Sequence, residues 1–377
     1  MSSESTGLIT REPRHRETIE RWRAFWALED VGRPLWLAMT LPGTFAVSFL
    51  GYPMIPFLKE KERQLRGELA FLGLRERLQL GDDFVPHLQP HQGTSVFASA
   101  FGCPVSYFDH TLPWAHPVIG ADDPPERVYD LPAPKVTDGQ LGDMLDFTRH
   151  FVAETQGRYP IAQTDLQGPL DTAYLVWDSC SFMTAMYTNP KEVHHLMRLV
   201  TDLIVAFVKE QRALSPEFIP CHFPPLYLPD GEGIAISEDC LAVIGADLYH
   251  EFALPYNNEL SEEFGGLFVH SCGAFGHQFA NLKRIRNLRG LNFGATEMAF
   301  EPVWEEFGGR TAVVPHLGLN KDIHFDDMLD YVRHVLSVRT TDRGLCVVLA
   351  PTDPAAVGDP VGFAATMRAA YELAEVG

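Results

Sequence analysis

Short apolar runs alternate with longer helical patterns along most of this chain, and this alternation constrains its fold more than any other feature. The runs are rich in valine, isoleucine, leucine and phenylalanine, as expected for strands that are buried on both faces of a parallel sheet. The predicted strands are Leu35–Thr40, Tyr159–Thr164, Phe218–His222, Gly233–Ser237, Leu267–His270, Leu288–Phe293, Thr311–Pro315 and Leu345–Leu349.

Helical patterns lie between these runs. The clearest covers Lys191–Ala213, which follows the helix-start pair Asn189-Pro190 and repeats its apolar residues with a period of about 3.6. Strands that alternate with helices imply a parallel sheet with right-handed crossovers. The other predicted helices are Arg16–Ala27, Lys59–Leu80, Asp322–Val338 and Asp359–Ala374.

We therefore predict the α/β class, as a single (β/α)₈ TIM barrel that spans residues 1–377 and starts with an N-terminal helical extension. An open, doubly wound sheet is the alternative. The chain has no GxGxxG motif after a predicted strand and no Walker A motif, which disfavours the nucleotide-binding version of that sheet. Residues 81–136, rich in proline, histidine and aromatic residues, break the alternation and are predicted to form a cap or excursion on the barrel.

Composition restricts the partners of the chain. Its formal net charge is -20 and it lacks a basic patch, which argues against nucleic acids and anionic membranes. The uncharged stretch from Leu35 to Leu58 is long enough to cross a membrane, but its prolines and glycines predict a strand and a loop. Six cysteines are too few for a disulfide scaffold, and the first residues contain no apolar leader. We expect a cytoplasmic protein without a membrane span.

The pattern that carries chemistry is a predicted strand that ends in His270 and is followed by Cys272 and Gly273. The C-terminal ends of barrel strands form the active-site face, and glycine allows a sharp bend there. Cys346 lies in the last predicted strand, and Glu297 follows the strand after His270. One imidazole, two thiolates and one carboxylate suit tetrahedral Zn²⁺, with the carboxylate as the replaceable ligand. The alternative is that His270 and Cys346 are buried structural residues.

Several motifs occur in a characteristic order. They are Gln167-Gly168-Pro169-Leu170, the helix after Asn189-Pro190, Ile236-Ser237-Glu238-Asp239, the stretch Glu251–Tyr256, and His270-Ser271-Cys272-Gly273. In this order the chain resembles the uroporphyrinogen decarboxylase superfamily from about residue 158 to its end, and also at its opening. Only the proline- and histidine-rich stretch is poorly covered. The resemblance implies a (β/α)₈ barrel with its site at the C-terminal face of the strands.

That superfamily contains two chemistries. The decarboxylases carry an arginine-rich loop after the first strand, whereas Leu37–Gly43 contains no arginine, so a substrate with many carboxylates would lack its charge-assisted partners. The other branch binds zinc through a His-x-Cys pair and a distant cysteine. His270, Cys272 and Cys346 match that pattern, and Glu297 matches an additional acidic ligand less closely.

The resemblance therefore implies a zinc-dependent methyltransferase, with one Zn²⁺ per chain, that moves a methyl group from a methylcobamide to a thiol or related acceptor. The methylcobamide is expected as a substrate on a partner corrinoid protein, because this chain has no corrinoid-binding motif. Asp239 and Glu297 are the expected catalytic residues, and Asp165, Gln167 and His316 are expected to bind substrate. The alternative for Asp239 is a helix N-cap, and for the other three a satisfied polar group at the barrel top.

Two other functions are kept as alternatives. One is a lyase related to uroporphyrinogen decarboxylase that acts on a small molecule. The other is a non-enzymatic barrel that binds a tetrapyrrole or a corrinoid. The sequence specifies neither the methyl donor nor the acceptor, and it leaves the choice between zinc and another soft metal, and the oligomeric state, open.

Overall fold

Parallel strand pairing organises this computed structural model, which describes residues 7–39, 53–109, 111–318, 322–350 and 359–376. The strands are β1 (Leu35–Ala38), β2 (Val105–Ser106), β3 (Trp114–Ala115), β4 (Ile161–Ala162), β5 (Phe218–Ile219), β6 (Ile234–Ser237), β7 (Leu267–Ser271), β8 (Leu288–Gly294), β9 (Ala312–His316) and β10 (Cys346–Leu349). A four-stranded parallel sheet has the order β6-β7-β8-β9, and two parallel pairs join β1 to β10 and β4 to β5. The pair β2-β3 is antiparallel.

Helices occupy the connections between the parallel strands, as the alternation predicts. The helices in the described part of the chain are α1 (Pro13–Trp26), α2 (Met54–Lys59), α3 (Lys61–Leu78), α4 (Val96–Ser99), α5 (Gly139–Glu154), α6 (Pro169–Val176), α7 (Ser179–Thr188), α8 (Pro190–Ala213), α9 (Ala246–Phe252), α10 (Leu254–Phe264), α11 (Phe279–Leu282), α12 (Phe300–Phe307), α13 (Met328–Val338) and α14 (Pro360–Val376).

Single hydrogen bonds connect the separate sheets to one another. The Ala235 N–H of β6 donates to the Pro220 carbonyl just after β5 at 2.8 Å, and the Val313 N–H of β9 donates to the Gly344 carbonyl just before β10 at 2.7 Å. These contacts are not continuous ladders. The α/β class is confirmed, whereas the closed eight-stranded barrel stays a prediction.

On the edge of β1 that does not pair with β10, two backbone N–H groups find their hydrogen-bond acceptors in side chains. The Trp36 N–H donates to the Asp83 carboxylate and the Ala38 N–H donates to the Asp82 carboxylate, each at 2.9 Å. Beyond this pair of aspartates the chain turns to Leu88, which exchanges backbone hydrogen bonds with the segment of β4. Asp82 to Leu88 therefore lie between β1 and β4, although they belong to the stretch that was predicted as an excursion.

Each predicted strand overlaps an observed strand, and the predicted helix over Lys191–Ala213 is confirmed. Its apolar face is buried as the 3.6-residue period requires, and Asn189 and Pro190 occupy the cap and first helical positions. The helix predicted over Lys59–Leu80 is observed as α3 over Lys61–Leu78, and an extended backbone at Glu60 separates it from the short helix α2 that ends at Lys59. Residues 40–52, which include Thr40 and most of the uncharged stretch, lie outside the described residues. In the described part of the chain, no helix combines the length and apolarity needed to cross a membrane.

Helix α1 closes the amino-terminal ends of the strands with aromatic side chains. The Trp26 ring meets the Phe268 ring of β7 edge-on at a centroid distance of 5.8 Å, and its indole N–H donates to the Tyr227 carbonyl at 2.8 Å. Trp22 and Phe25 are fully buried beside it. This packing forms a second, smaller apolar cluster at the end where the strands begin, separate from the larger core.

Candidate metal and substrate site

Three potential metal ligands converge where β6 and β7 end. His270 is the second-last residue of β7, Cys272 follows that strand, and Asp239 starts the short 3₁₀ helix that follows β6. One ligand atom from each residue lies within 4.8 Å of the other two. His270 is buried, Cys272 is half-buried and Asp239 is exposed, so the group borders solvent on one side.

A hydrogen-bond network sets the tautomer of His270. The Asn292 side chain lies 2.5 Å from the Val314 carbonyl, which can only accept, so the amide nitrogen must face that carbonyl. The amide oxygen then faces His270 Nδ1 at 2.6 Å, which requires a proton on Nδ1. The lone pair of Nε2 is left beside the Cys272 sulfur, 3.6 Å away. An imidazole held by its other nitrogen in this way is the usual arrangement of a metal-ligating histidine.

Asp239 is tied to the loop that carries Cys272. Its Oδ1 accepts the Cys272 N–H at 2.7 Å. The 3₁₀ helix itself is held by Asp171, whose carboxylate accepts the N–H groups of Asp239 and Cys240 at 2.6 and 2.9 Å. Asp239 is the first residue of that helix and not its cap, which removes the alternative considered from the sequence.

Glu297 supports the same loop from the opposite side. Its carboxylate accepts the Gly273 N–H at 2.9 Å and is buried. Two glycines make room for it: a Cβ on Gly294 would lie 2.9 Å from the Glu297 Oε2, and one on Gly318 would lie 2.8 Å from its Cδ. The structure thus brings Glu297 to the Cys272 loop, but not into the group of three converging ligand atoms.

The structure does not bring Cys346 to this group. Cys346 is the first residue of β10 and the cross-strand partner of Leu35, the first residue of β1. It is fully buried in the apolar cluster that also contains Phe25 and Trp26. The beginning of β10 lies at the end of the sheet that helix α1 covers. His270 and Cys272 lie at the opposite end, where a strand ends.

The predicted substrate residues lie on two sides of the group. Asp165 is half-buried, and its Oδ1 accepts a hydrogen bond from Gln167 Nε2 at 2.8 Å. Burial raises the pKa of Asp165, and the hydrogen bond from Gln167 partly offsets this by lowering it. On the other side, His316 at the end of β9 has its ring centroid 5.9 Å from that of His270.

Phe223 completes the wall on the His316 side. Its ring meets the His270 ring at a centroid distance of 4.6 Å and the His316 ring at 5.8 Å, edge-on in both cases. Burial lowers the pKa of His316 to about 3, and burial also lowers the pKa of His270. Both imidazoles are therefore neutral near pH 7.

Carboxylates dominate the electrostatics of the group. Burial raises the pKa of the Cys272 thiol, and the charges of Asp239 and Glu297 raise it further. The charges that act on the pKa of His270 come from Asp239, Asp165 and Glu297. Within the described part of the chain, the charges that most affect these two ligands are thus all negative. Such a field favours a bound cation, which would in turn stabilise the Cys272 thiolate.

The donor set fits a zinc ion. Zn²⁺ takes nitrogen, sulfur and oxygen donors in tetrahedral geometry, and catalytic sites use three protein ligands with a fourth position open. An imidazole with its lone pair turned towards a thiol, with a carboxylate beside both, supplies such a set. Asn292, Asp171 and Phe223 support the group but carry no sequence motif, so the sequence did not reveal them.

Comparison with known proteins agrees with the sequence motifs. The family model for uroporphyrinogen decarboxylase (URO-D) matches residues 92–219. The resemblance to the uroporphyrinogen decarboxylase superfamily is confirmed. The match to this superfamily begins inside the stretch that the motifs covered poorly, and it ends before Asp239 and His270. The residues of the candidate site therefore depend on the geometry described above.

A solved structure shares the fold over nearly the whole chain. A methyltransferase from Methanosarcina mazei superposes with a TM-score of 0.68 and covers 93% of this chain and 99% of its own. The two sequences are 14% identical, so the likeness establishes a common fold. No curated protein sequence matches the chain.

Proposed function

We propose that this protein is a zinc-dependent methyltransferase that moves a methyl group from a methylcobamide, carried by a partner corrinoid protein, to a small-molecule thiol or related acceptor. The observation that carries the proposal is the convergence of Asp239, His270 and Cys272, with the imidazole held in the tautomer that a metal requires. The superfamily match and the shared fold with a methyltransferase support the same class of reaction.

In this proposal one Zn²⁺ per chain would be held by His270, Cys272 and Asp239, and it would bind the substrate thiol beside them. The zinc would lower the pKa of a substrate thiol, so that the nucleophilic thiolate is present at neutral pH. Glu297 positions the Cys272 loop through the Gly273 N–H. Cys346, which the resemblance suggested as a ligand, has a packing role in this arrangement.

The side chains around the ligands bind and orient the substrates. Phe223 and His316 form an uncharged wall that excludes water on the side of β9. Asp165 and Gln167 offer a carboxylate and an amide on the other side. In the reaction, a sulfur–carbon bond forms as the cobalt–carbon bond of the methylcobamide breaks, and the electron pair of that bond stays on cobalt. Reacting groups held in one place gain from proximity and orientation.

The charges of the site favour this reaction over decarboxylation of a polycarboxylate. Asp165, Asp239 and Glu297 each place a negative charge near His270. After one dication is bound, these residues and the Cys272 thiolate still leave the site negative. A substrate with several carboxylates would be repelled there, because arginine or lysine is the usual partner of such groups.

Metal content provides the test. The protein would be purified without added metal and analysed by mass spectrometry beside the variants Cys272→Ser and Asp239→Asn. We expect about one zinc per chain in the wild type and a clear loss in both variants, since each removes one of three protein ligands. Cys103→Ser is the matched control, because Cys103 is a buried free cysteine outside the site.

The activity assay then follows methyl transfer from free methylcobalamin to 2-mercaptoethanol. We expect turnover in the wild type and in the Cys103→Ser variant, and none in Cys272→Ser. A wild-type protein that takes up no metal, even when zinc is offered, would refute the proposal. The lyase and the non-enzymatic binding barrel would then be the better accounts.

A further inference from the structure

A second hydrogen-bonded chain of side chains lies beside the metal group, and none of its residues has a role in the function proposed so far. It consists of Gln163, just after β4, His222, after β5, and Ser237, the last residue of β6. All three are buried, with 1%, 6% and 5% of their surface exposed. The polar atoms of such buried groups need partners, so the direction of each hydrogen bond can be worked out.

The Ala235 carbonyl determines the orientation of the Gln163 amide. It lies 2.6 Å from one terminal atom of that side chain. A carbonyl oxygen only accepts, so this atom is the amide nitrogen. The same nitrogen lies 3.0 Å from His222 Nδ1. Because it is a donor, His222 Nδ1 must accept and carries no proton.

The proton of the neutral His222 ring is therefore on Nε2, which lies 2.9 Å from the Ser237 hydroxyl oxygen. His222 donates this hydrogen bond and Ser237 accepts it. Burial lowers the pKa of His222 to about 3, so the ring stays neutral and keeps this arrangement at neutral pH.

Since Ser237 accepts from His222, its own hydroxyl hydrogen must be donated elsewhere. No acceptor within the described part of the chain takes it. Ser237 is the cross-strand partner of His270 in the β6-β7 pair, so its side chain stands next to the imidazole on the same face of the sheet. The hydroxyl hydrogen thus lies beside the metal group, where a bound molecule can accept it.

We propose that Ser237 binds the substrate, by donating a hydrogen bond to the lone-pair atom of the molecule held beside His270 and Cys272. This inference rests on the proposed function, in which that atom is the sulfur of a thiol or thiolate. An uncharged donor suits a sulfur that gains or carries negative charge. His222 and Gln163 act through Ser237 and are positioning residues, because they turn its hydrogen towards the substrate.

Thiol binding to the Co²⁺-loaded protein tests this role without relying on turnover. Co²⁺ replaces Zn²⁺ as a coloured probe, and the dissociation constant of 2-mercaptoethanol is read from the visible spectrum. We expect Ser237→Ala to bind Co²⁺ like the wild type and to bind the thiol about 5- to 20-fold more weakly, as for the loss of one hydrogen bond. Ser237→Thr keeps the hydroxyl and should restore binding.

A double-mutant cycle separates positioning from general damage. His222→Leu should weaken thiol binding in the wild-type background and have little further effect in the Ser237→Ala background, because the two residues act as one unit. Ser99→Ala is the matched control. The hydroxyl of Ser99 is also buried, but it donates to the Val96 carbonyl within the protein, so this variant should bind the thiol normally.

The outcomes are distinct. Normal Co²⁺ binding with unchanged thiol affinity in Ser237→Ala would overturn the role of Ser237 and leave the proposed function intact. Additive effects of the Ser237 and His222 variants would overturn the positioning role of His222. Failure of the wild type to bind Co²⁺ would refute the metal centre of the proposed function, and the inference about Ser237 would fall with it.

Discussion

Replacing Asn292 by leucine is the most informative perturbation of the candidate site. Leucine has the same branching at Cγ and the same number of heavy atoms, and it is somewhat bulkier, so the variant leaves no cavity but removes three buried hydrogen bonds. These join the side chain to His270 Nδ1 at 2.6 Å, to the Val314 carbonyl at 2.5 Å and to His316 Nδ1 at 3.2 Å. Asn292 is fully buried, so water cannot take over these contacts.

Two magnitudes follow from this geometry. Loss of the partner that fixes a metal-ligating histidine lowers metal affinity by about 10- to 100-fold. Buried polar groups left without partners cost on the order of 1–3 kcal/mol each, so the metal-free protein should lose about 2–5 kcal/mol of unfolding free energy after partial relaxation. The first effect depends on the metal site, whereas the second does not.

The assay is competition for Zn²⁺ with a coloured chelator, combined with urea unfolding of the metal-free protein. Asn281→Leu is the control. Asn281 is also buried, and it donates to the Ala246 carbonyl and to the Gln278 side chain, away from His270. It should lose stability and keep its zinc affinity. If Asn292→Leu loses stability but binds zinc as tightly as the wild type, His270 is not the ligand that the hydrogen bonds imply.

Three further predictions follow. Cys346→Ser should keep zinc affinity within about 3-fold of the wild type in the same competition assay, because Cys346 lies in the apolar cluster, while a loss comparable to that of a removed ligand would restore the role suggested by the resemblance. Asp171→Asn removes an acceptor from the 3₁₀ helix that carries Asp239, so zinc affinity should fall by about 10-fold, and an unchanged value would contradict the positioning role. Burial raises the pKa of Glu68 to about 8 from an ordinary value near 4.5, so its contribution to stability is present below the ordinary value and is lost as the pH rises through about 8. Glu68→Gln should therefore be more stable than the wild type at pH 8 and nearly equal to it at pH 5 in urea unfolding, and a difference that does not change with pH would contradict the raised pKa.

The strands and the helix α8 could be predicted from the sequence because each depends on a local pattern. A strand buried on both faces must be a run of apolar residues, and the buried face of α8 must repeat with the helical period. The proposed ligand pair His270 and Cys272 was predictable for the same reason, since both residues lie where one apolar run ends.

The remaining features depend on packing between distant segments. The predicted strand Leu345–Leu349 already places Cys346 near its start, but the local sequence does not reveal that Cys346 lies in the apolar cluster with Phe25 and Trp26 and outside the group of converging ligand atoms. Asn292, Phe223 and Asp171 are ordinary residues in ordinary local sequence, and only the alignment of neighbouring strands and loops brings them to the site. Tertiary contacts of this kind leave no local pattern to recognise.

The pairing of β1 with β10 has a consequence for how the protein is made. β1 starts at Leu35, and its ladder partner starts at Cys346, so almost the whole polypeptide must leave the ribosome before this ladder can form. Until then an apolar strand edge has no ladder partner on that side, and an unpaired edge readily joins strands of other molecules. A chain that terminates before the last strand is therefore expected to accumulate as aggregate, even though most of its sequence is intact.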